Sequence, residues 1–148
     1  MLSLVDGIIA AQDQAVRSRL VVAAPPDLAS IDLDAQMMEL ALLQLIDNAA
    51  KYSNVGQKID VTIEQSDLET TVIVSNDGSP IPPHEQELIF ERFYRGVDSV
   101  HGPSGTGLGL SIVKKTAEAH GGRVWVECEN NRSRFFVTVG NYRGTTNG

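Results

Sequence analysis

The sequence predicts an α/β fold, a two-layer sandwich on a mixed, mainly antiparallel sheet. Three observations lead to it. Residues 58–66 and 70–76 each alternate apolar with polar positions, and only Asp67, Leu68 and Glu69 separate them, so they read as a hairpin. Residues 123–129 and 134–140 alternate in the same way around Asn130, Asn131 and Arg132, giving a second hairpin. Two longer stretches with helical spacing lie before and between these hairpins. Too few helices separate the strands for a doubly wound parallel sheet.

At 148 residues, 42% of them hydrophobic, the chain is long enough for one domain with a real core. No apolar run approaches the ~20 residues of a membrane span. Asp6 interrupts the N-terminal apolar stretch and no basic region precedes it, so no signal peptide is expected. The single cysteine, Cys128, excludes an internal disulfide and fits a reducing, cytoplasmic setting. It alternates with Val124 and Val126 and reads as a strand thiol. The net charge of −7 argues against nucleic acid as a partner. Any polyphosphate bound here needs local help from a cation, a lysine, an arginine or backbone N–H groups.

Taken in order, residues 2–19 read as a helix, with Leu4, Ile8, Ala11 and Ala15 on one face and Asp13 and Arg17 on another. Residues 20–24 are a short apolar strand, and Pro25 and Pro26 begin a turn. Asp34 is an N-cap residue for a helix over 35–52, whose apolar face is Met38, Leu42, Leu45, Ile46 and Ala49. Gln44, Asp47, Asn48 and Lys51 fall within about 100° of one another on that helix. An amide, an acid, an amide and a lysine on one narrow face fit a ligand site, and equally a solvated helix face. After the first hairpin, residues 76–83 carry turn chemistry. A short helix is expected over 85–94, with Leu88, Ile89, Phe90 and Phe93 as its apolar side. The tail from 143 to 148 is polar and expected to fray.

Four glycines at 102, 105, 107 and 109 run directly into an apolar-periodic helix containing Leu110, Ile112, Val113 and Ala117. Glycine lets backbone approach a ligand, and a helix N-terminus presents unpaired N–H groups and a positive dipole end. The pattern also fits a flexible loop before an ordinary helix. It is not a P-loop, because no Gly-Lys pair is present, and it is not the dinucleotide fingerprint, because no strand pattern precedes it.

Four separated stretches resemble one family in order and spacing. Leu43-Gln-Leu-Ile-Asp-Asn-Ala-Ala-Lys-Tyr-Ser53 resembles the N box of the ATP-binding catalytic domain of two-component sensor histidine kinases. Val74-Ser-Asn-Asp-Gly-Ser-Pro-Ile-Pro82 resembles its G1 box, Ile89-Phe-Glu-Arg-Phe-Tyr-Arg95 its F box, and Gly105-Thr-Gly-Leu-Gly-Leu110 its G2 box. The resemblance covers residues 34–139. It implies the Bergerat-type fold shared with the gyrase, heat-shock-90 and mismatch-repair ATPases, with helices on one face of the sheet, and it implies ATP and Mg²⁺ as cofactors.

By the same resemblance, Asn48 is a magnesium ligand, with Gln44 one turn earlier on the metal side. A neutral amide oxygen suits a hard cation that keeps its waters. Lys51 is a phosphate contact and Tyr52 packs near the nucleotide. Asn76 accepts from the adenine amino group, in a turn that includes Gly78 and Ile81. Gly105, Thr106, Gly107, Leu108, Gly109 and Leu110 line the phosphates, Gly107 and Gly109 with their backbone N–H groups. Phe90 and Phe93 pack the root of a mobile lid over residues 95–104. Arg95 reaches the γ-phosphate and stabilises charge during transfer; a surface arginine at a helix end is its other reading.

Three departures from the family pattern stand out. Asn76 replaces the usual aspartate, with Asp77 one position later. Pro80 replaces a glycine and stiffens the turn. In the G3 box, Asn130 and Arg132 replace glycines and only Ser133 is kept, so no contribution to the ligand site is expected from it. Gln44 stands where the ATPases of this fold carry a glutamate base, and an amide cannot take a proton from water near neutral pH.

The implied function is transfer of the γ-phosphoryl group of Mg-ATP to a histidine on a separate dimerisation domain, with a response regulator downstream. The chain is then a catalytic domain from a longer protein that is itself open to membrane anchoring. His84, His101 and His120 lack a phosphoacceptor context and are expected to have surface or capping roles. A serine kinase of the anti-sigma-factor type, a conformational ATPase and a nucleotide-binding module without transfer activity are the rival readings.

Overall fold

A computed structural model of the chain describes residues 1–29, 31–54, 56–78, 81–91 and 109–141. Among these, five strands form one mixed sheet: β1 (Leu20–Ala23), β2 (Ile59–Gln65), β3 (Glu69–Asp77), β4 (Val124–Glu129) and β5 (Arg132–Gly140). Their spatial order is β1-β2-β3-β5-β4, with β1 parallel to β2 and every other pair antiparallel. Both expected hairpins are present. The second closes on Asn130 and Asn131, at φ 53° and 61°. Two left-handed residues in succession make the tight turn that matches strand twist, and asparagine tolerates that conformation.

Alternation along the strands sorts the side chains into two faces. On one face the register builds rows across the sheet, Val61–Val74–Phe135–Val126 and Ile63–Val72–Val137–Val124, nearly all buried. Helices α1 (Leu2–Ala10), α3 (Ala35–Tyr52) and α4 (Gly109–Ala119) contribute the residues that cover these rows. The 18-residue α3 supplies Met38, Ala41, Leu42, Leu45, Ile46 and Ala49. Leu42, Leu45 and Ile46 are each 2% exposed, and burying side chains of this size stabilises by about 2 kcal/mol apiece. Asp34 caps α3 as expected, its Oδ1 accepting from the Met37 N–H at 3.1 Å.

Two local expectations are corrected. The first helix ends at Ala10, and Asp13 caps a separate short helix, α2 (Gln14–Arg17), by accepting from the Val16 N–H at 3.0 Å. A good capping side chain competes with helix continuation. Within the helix expected over 85–94, the described part forms two 3₁₀ turns, Pro83–Glu85 and Leu88–Phe90. So short a segment gains little from helical cooperativity. It is anchored instead by Phe90, which packs edge-on against Phe135 with ring centroids 6.3 Å apart. Phe93 lies outside the described residues.

Of the two roles expected for His120, surface or capping, the structure shows the capping one, with the ring buried. Its Nε2 accepts from the Asp34 backbone N–H at 2.9 Å, and Nδ1 lies 2.8 Å from the Thr116 carbonyl. With Nε2 accepting, the proton sits on Nδ1 and is donated to Thr116. One imidazole thereby ties the start of α3 to the end of α4.

Gly122 sits where a Cβ would come within 1.8 Å of the Thr138 carbonyl oxygen, whereas Gly7 on α1 has open space around it. Gly122→Ala is therefore expected to lower stability by more than about 2 kcal/mol through forced backbone displacement. Gly7→Ala should be neutral or stabilising by about 0.5–1 kcal/mol, since alanine is the better helix former. Denaturant titration of both variants checks this, and a Gly122→Ala midpoint equal to that of the unsubstituted protein contradicts the packing.

Candidate functional site

The helix-facing rows of the sheet are not apolar throughout. At one end the register aligns Ile59, Asn76, Ser133 and Cys128. Asn76 is 4% exposed, yet its amide has no hydrogen-bond partner among the described residues. No side-chain polar atom among them is both fully sealed from solvent and unbonded, so the amide keeps access to the outside. A nearly buried amide with no protein partner carries an unmet hydrogen-bonding demand that a ligand can satisfy.

The turn after Asn76 is crowded. A Cβ on Gly78 would lie 2.3 Å from the Tyr52 carbonyl oxygen and 3.3 Å from Asn76 Nδ2, so only glycine fits. This holds the end of β3 against the end of α3, where Ser53 and Gly78 form an isolated antiparallel bridge. The Asn54 N–H donates to the Asp77 carbonyl at 2.8 Å, and the Gly78 N–H donates to the Asn131 carbonyl at 3.0 Å. Arg19 secures the loop behind: Nε donates to the Gln57 carbonyl at 2.8 Å, and Nη2 donates to the Asn54 carbonyl at 3.2 Å and to Ser53 Oγ. Ile81 is half-buried against the core, and its carbonyl accepts from Gln86 Nε2 at 3.0 Å.

On α3, Gln44 and Asn48 are half-buried and one turn apart, whereas Asp47, Lys51 and Tyr52 are exposed. Lys51 Nζ lies 3.1 Å from Asp47 Oδ2. Exposed pairs of this kind are weak and screened, so Lys51 can exchange the carboxylate for another anion. Gln44 meets α4, since a Cβ on Gly109 would lie 2.5 Å from Gln44 Oε1. The small residue at the start of α4 thus lets an amide of α3 reach the backbone of a helix N-terminus. Leu110 follows, half-buried against the core. Lys114 Nζ reaches Glu91 Oε1 at 3.3 Å, linking α4 to the segment after the 3₁₀ turns.

Gln44 and Gly109 are therefore brought together, as are Tyr52, Asn76 and Gly78. Arg95, Gly105, Thr106, Gly107, Leu108, Pro80, His101 and the rest of the expected lid lie outside the described residues.

Sequence reasoning missed the residues that hold the site from behind. Arg19, Asn131 and Arg132 carry no periodic signal. The β4–β5 turn, from which no contribution is expected, supplies the Asn131 carbonyl to Gly78. Arg132 Nη1 donates to Asp77 Oδ1 at 2.9 Å, and Nη2 pairs with Asp60 Oδ2. Burial works against the charged guanidinium, but the hydrogen bonds and charges of Asp77 and Asp60 outweigh it and raise the Arg132 pKa above its ordinary value.

Residues 33–143 match the family described as histidine kinase-, DNA gyrase B-, and HSP90-like ATPase, and the chain belongs to that family. Among curated proteins, a signal transduction histidine-protein kinase/phosphatase MprB of Mycobacterium avium is 47% identical over 95 residues, 64% of this chain and 18% of that one. The probable sensor kinase SilS of Salmonella typhimurium is 38% identical over 110 residues, 74% of this chain and 22% of that one. The chain thus spans about a fifth of the length of these relatives. Among solved structures, a mycobacterial sensor histidine kinase MprB superposes with a TM-score of 0.81 at 27% identity, covering 96% of each chain. The fold is that of the ATP-binding catalytic domain of histidine kinases, and the MprB relatives carry histidine-kinase names.

The crowding at Gly78 makes a testable demand. Gly78→Ala is expected to push β3 away from α3, to cost more than about 2 kcal/mol of stability and to abolish binding of adenine nucleotides. Calorimetric titration with ATP, run beside a denaturant melt, checks both. Unchanged affinity contradicts the placement of the site at this turn.

Proposed function

We propose that this chain binds Mg-ATP between α3, the end of β3 and the N-terminus of α4, and passes the γ-phosphoryl group to a histidine on a separate dimerisation domain. That acceptor domain belongs to the longer protein of which this chain is one part, with a response regulator downstream. The observation that carries the reading is Asn76, a nearly buried amide with no protein partner among the described residues, beside a turn in which only glycine fits. An amide in that position can accept from the amino group of adenine.

The donor set suits a magnesium ion held mainly by phosphate oxygens and water. Among the described residues no cluster of three His, Cys, Asp or Glu could hold a metal by itself. Asn48, with Gln44 one turn before it, offers neutral amide oxygens, which suit a hard cation that keeps several waters. When bound, the ion neutralises charge on the phosphates. Lys51 exchanges Asp47 for phosphate, and Tyr52 packs beside the nucleotide. Gly105, Thr106, Gly107, Leu108, Gly109 and Leu110 present backbone to the phosphate tail, aided by the dipole of α4. Arg95 stabilises charge that develops on the transferred group.

Gln44 has no basic form, so it cannot activate water, and hydrolysis should be slow where no histidine acceptor is offered. Among the described residues no helix is long and apolar enough to cross a membrane.

The test is transfer in trans. With labelled ATP and a dimeric histidine-bearing domain from the same protein, the label should appear on that domain and be acid-labile and alkali-stable. Asn48→Ala should reduce labelling by at least about tenfold, since loss of one metal ligand weakens phosphate charge neutralisation. Rapid phosphate release without an acceptor, or acid-stable label on a serine of a partner, overturns the reading.

A further inference from the structure

The amide of Asn76 makes no hydrogen bond to the described residues, so its direction depends on its packing and on the backbone beneath it. That backbone lies at the last rungs of the β3–β5 ladder, Asn76 opposite Ser133 and Asp77 opposite Arg132. Strand ends open more readily than strand centres. Something must hold these rungs if Asn76 is to present one atom in one place.

The face of the sheet turned away from the helices supplies it. Alternation puts Asp77 on that face, directly across from Arg132, with Asp60 of β2 one strand further on. Arg132 bonds both carboxylates, and because Asp60 is in register with Ser75, it ties β5 to β3 and β2 across the two rungs that flank Asn76. Its side chain is 27% exposed, against 38% for Asp60 and 45% for Asp77. A planar fork that engages two carboxylates is directional in a way a lysine is not. The backbone of the same turn completes the clamp through the Asn131 carbonyl and the Gly78 N–H.

We infer that Arg132 is a positioning residue for base recognition, fixing the Asn76 amide toward the adenine 6-amino group through Asp77 and the end of β3. The inference rests on the reading of Asn76 as the base contact. Arg132 does not itself touch the nucleotide, since it lies on the opposite face of the sheet from Asn76. Its loss should therefore blur the contact to the 6-amino group and spare the contacts to ribose and phosphates.

The experiment compares ATP with purine riboside triphosphate, which lacks only the 6-amino group, by calorimetric titration. The unsubstituted protein should favour ATP by about five- to tenfold, the worth of one hydrogen bond. Arg132→Met should lose most of that preference, while its affinity for purine riboside triphosphate changes by less than about twofold. Asp77→Ser cuts the same link from the other end and leaves Arg132 paired with Asp60, so it decides the matter where Arg132→Met does not fold. Equal loss of affinity for both triphosphates would mean that Arg132 supports the fold alone, and it overturns the inference. So does an unchanged preference in the folded variants. If the unsubstituted protein shows no preference, the reading of Asn76 falls, and this inference falls with it.

Discussion

The structure depends on the close approach of the end of β3 to the end of α3. Gly78 lies against the Tyr52 carbonyl with no room for a Cβ, and Asn54 and Ser53 bond across the gap. Packing at this distance is possible only without a side chain. It brings the Asn76 row into line with the helix that carries Gln44, Asn48, Lys51 and Tyr52. The large apolar rows of the sheet and the buried face of α3 supply the stability that keeps this junction closed.

A second consequence is a division of labour between the two faces of the sheet. The helix-facing side holds the core and, at its end, an amide that makes no bond of its own among the described residues. The other side holds charge: Arg132 between Asp60 and Asp77. Strand alternation makes this possible, because neighbouring residues such as Asn76 and Asp77 face opposite ways. Contacts on one face can then steady a group on the other without occupying its site.

Much of the architecture was legible because it follows local rules. The two hairpins were visible in period-two alternation, and α3 in its apolar spacing and the Asp34 cap, so their bounds fall within a residue or two of expectation. The break at Asp13 and the 3₁₀ turns before Phe90 were not legible. In both, a local hydrogen bond or a tertiary anchor outcompetes a helical pattern that is itself weak. At the candidate site, Asn48, Asn76 and Gly109 were marked by motif resemblance alone. The supports behind it were not legible. Arg19 is 35 residues from Asn54, and Arg132 is 55 from Asp77 and 72 from Asp60. Pairings across such separations depend on the register of the finished sheet, and one sequence does not display that register.

The account centres on one site where α3, the end of β3 and the start of α4 meet. The most direct measurement is a nuclear magnetic resonance titration of the labelled protein with magnesium and a non-hydrolysable ATP analogue, following backbone amides and asparagine side-chain groups together. The account predicts that the Asn48 and Asn76 side chains and the Gly78 and Gly109 amides shift in concert with a single affinity. Shifts concentrated instead on Ile73, Arg134 and Phe136 would contradict it, because they would place the nucleotide on the opposite face of the sheet.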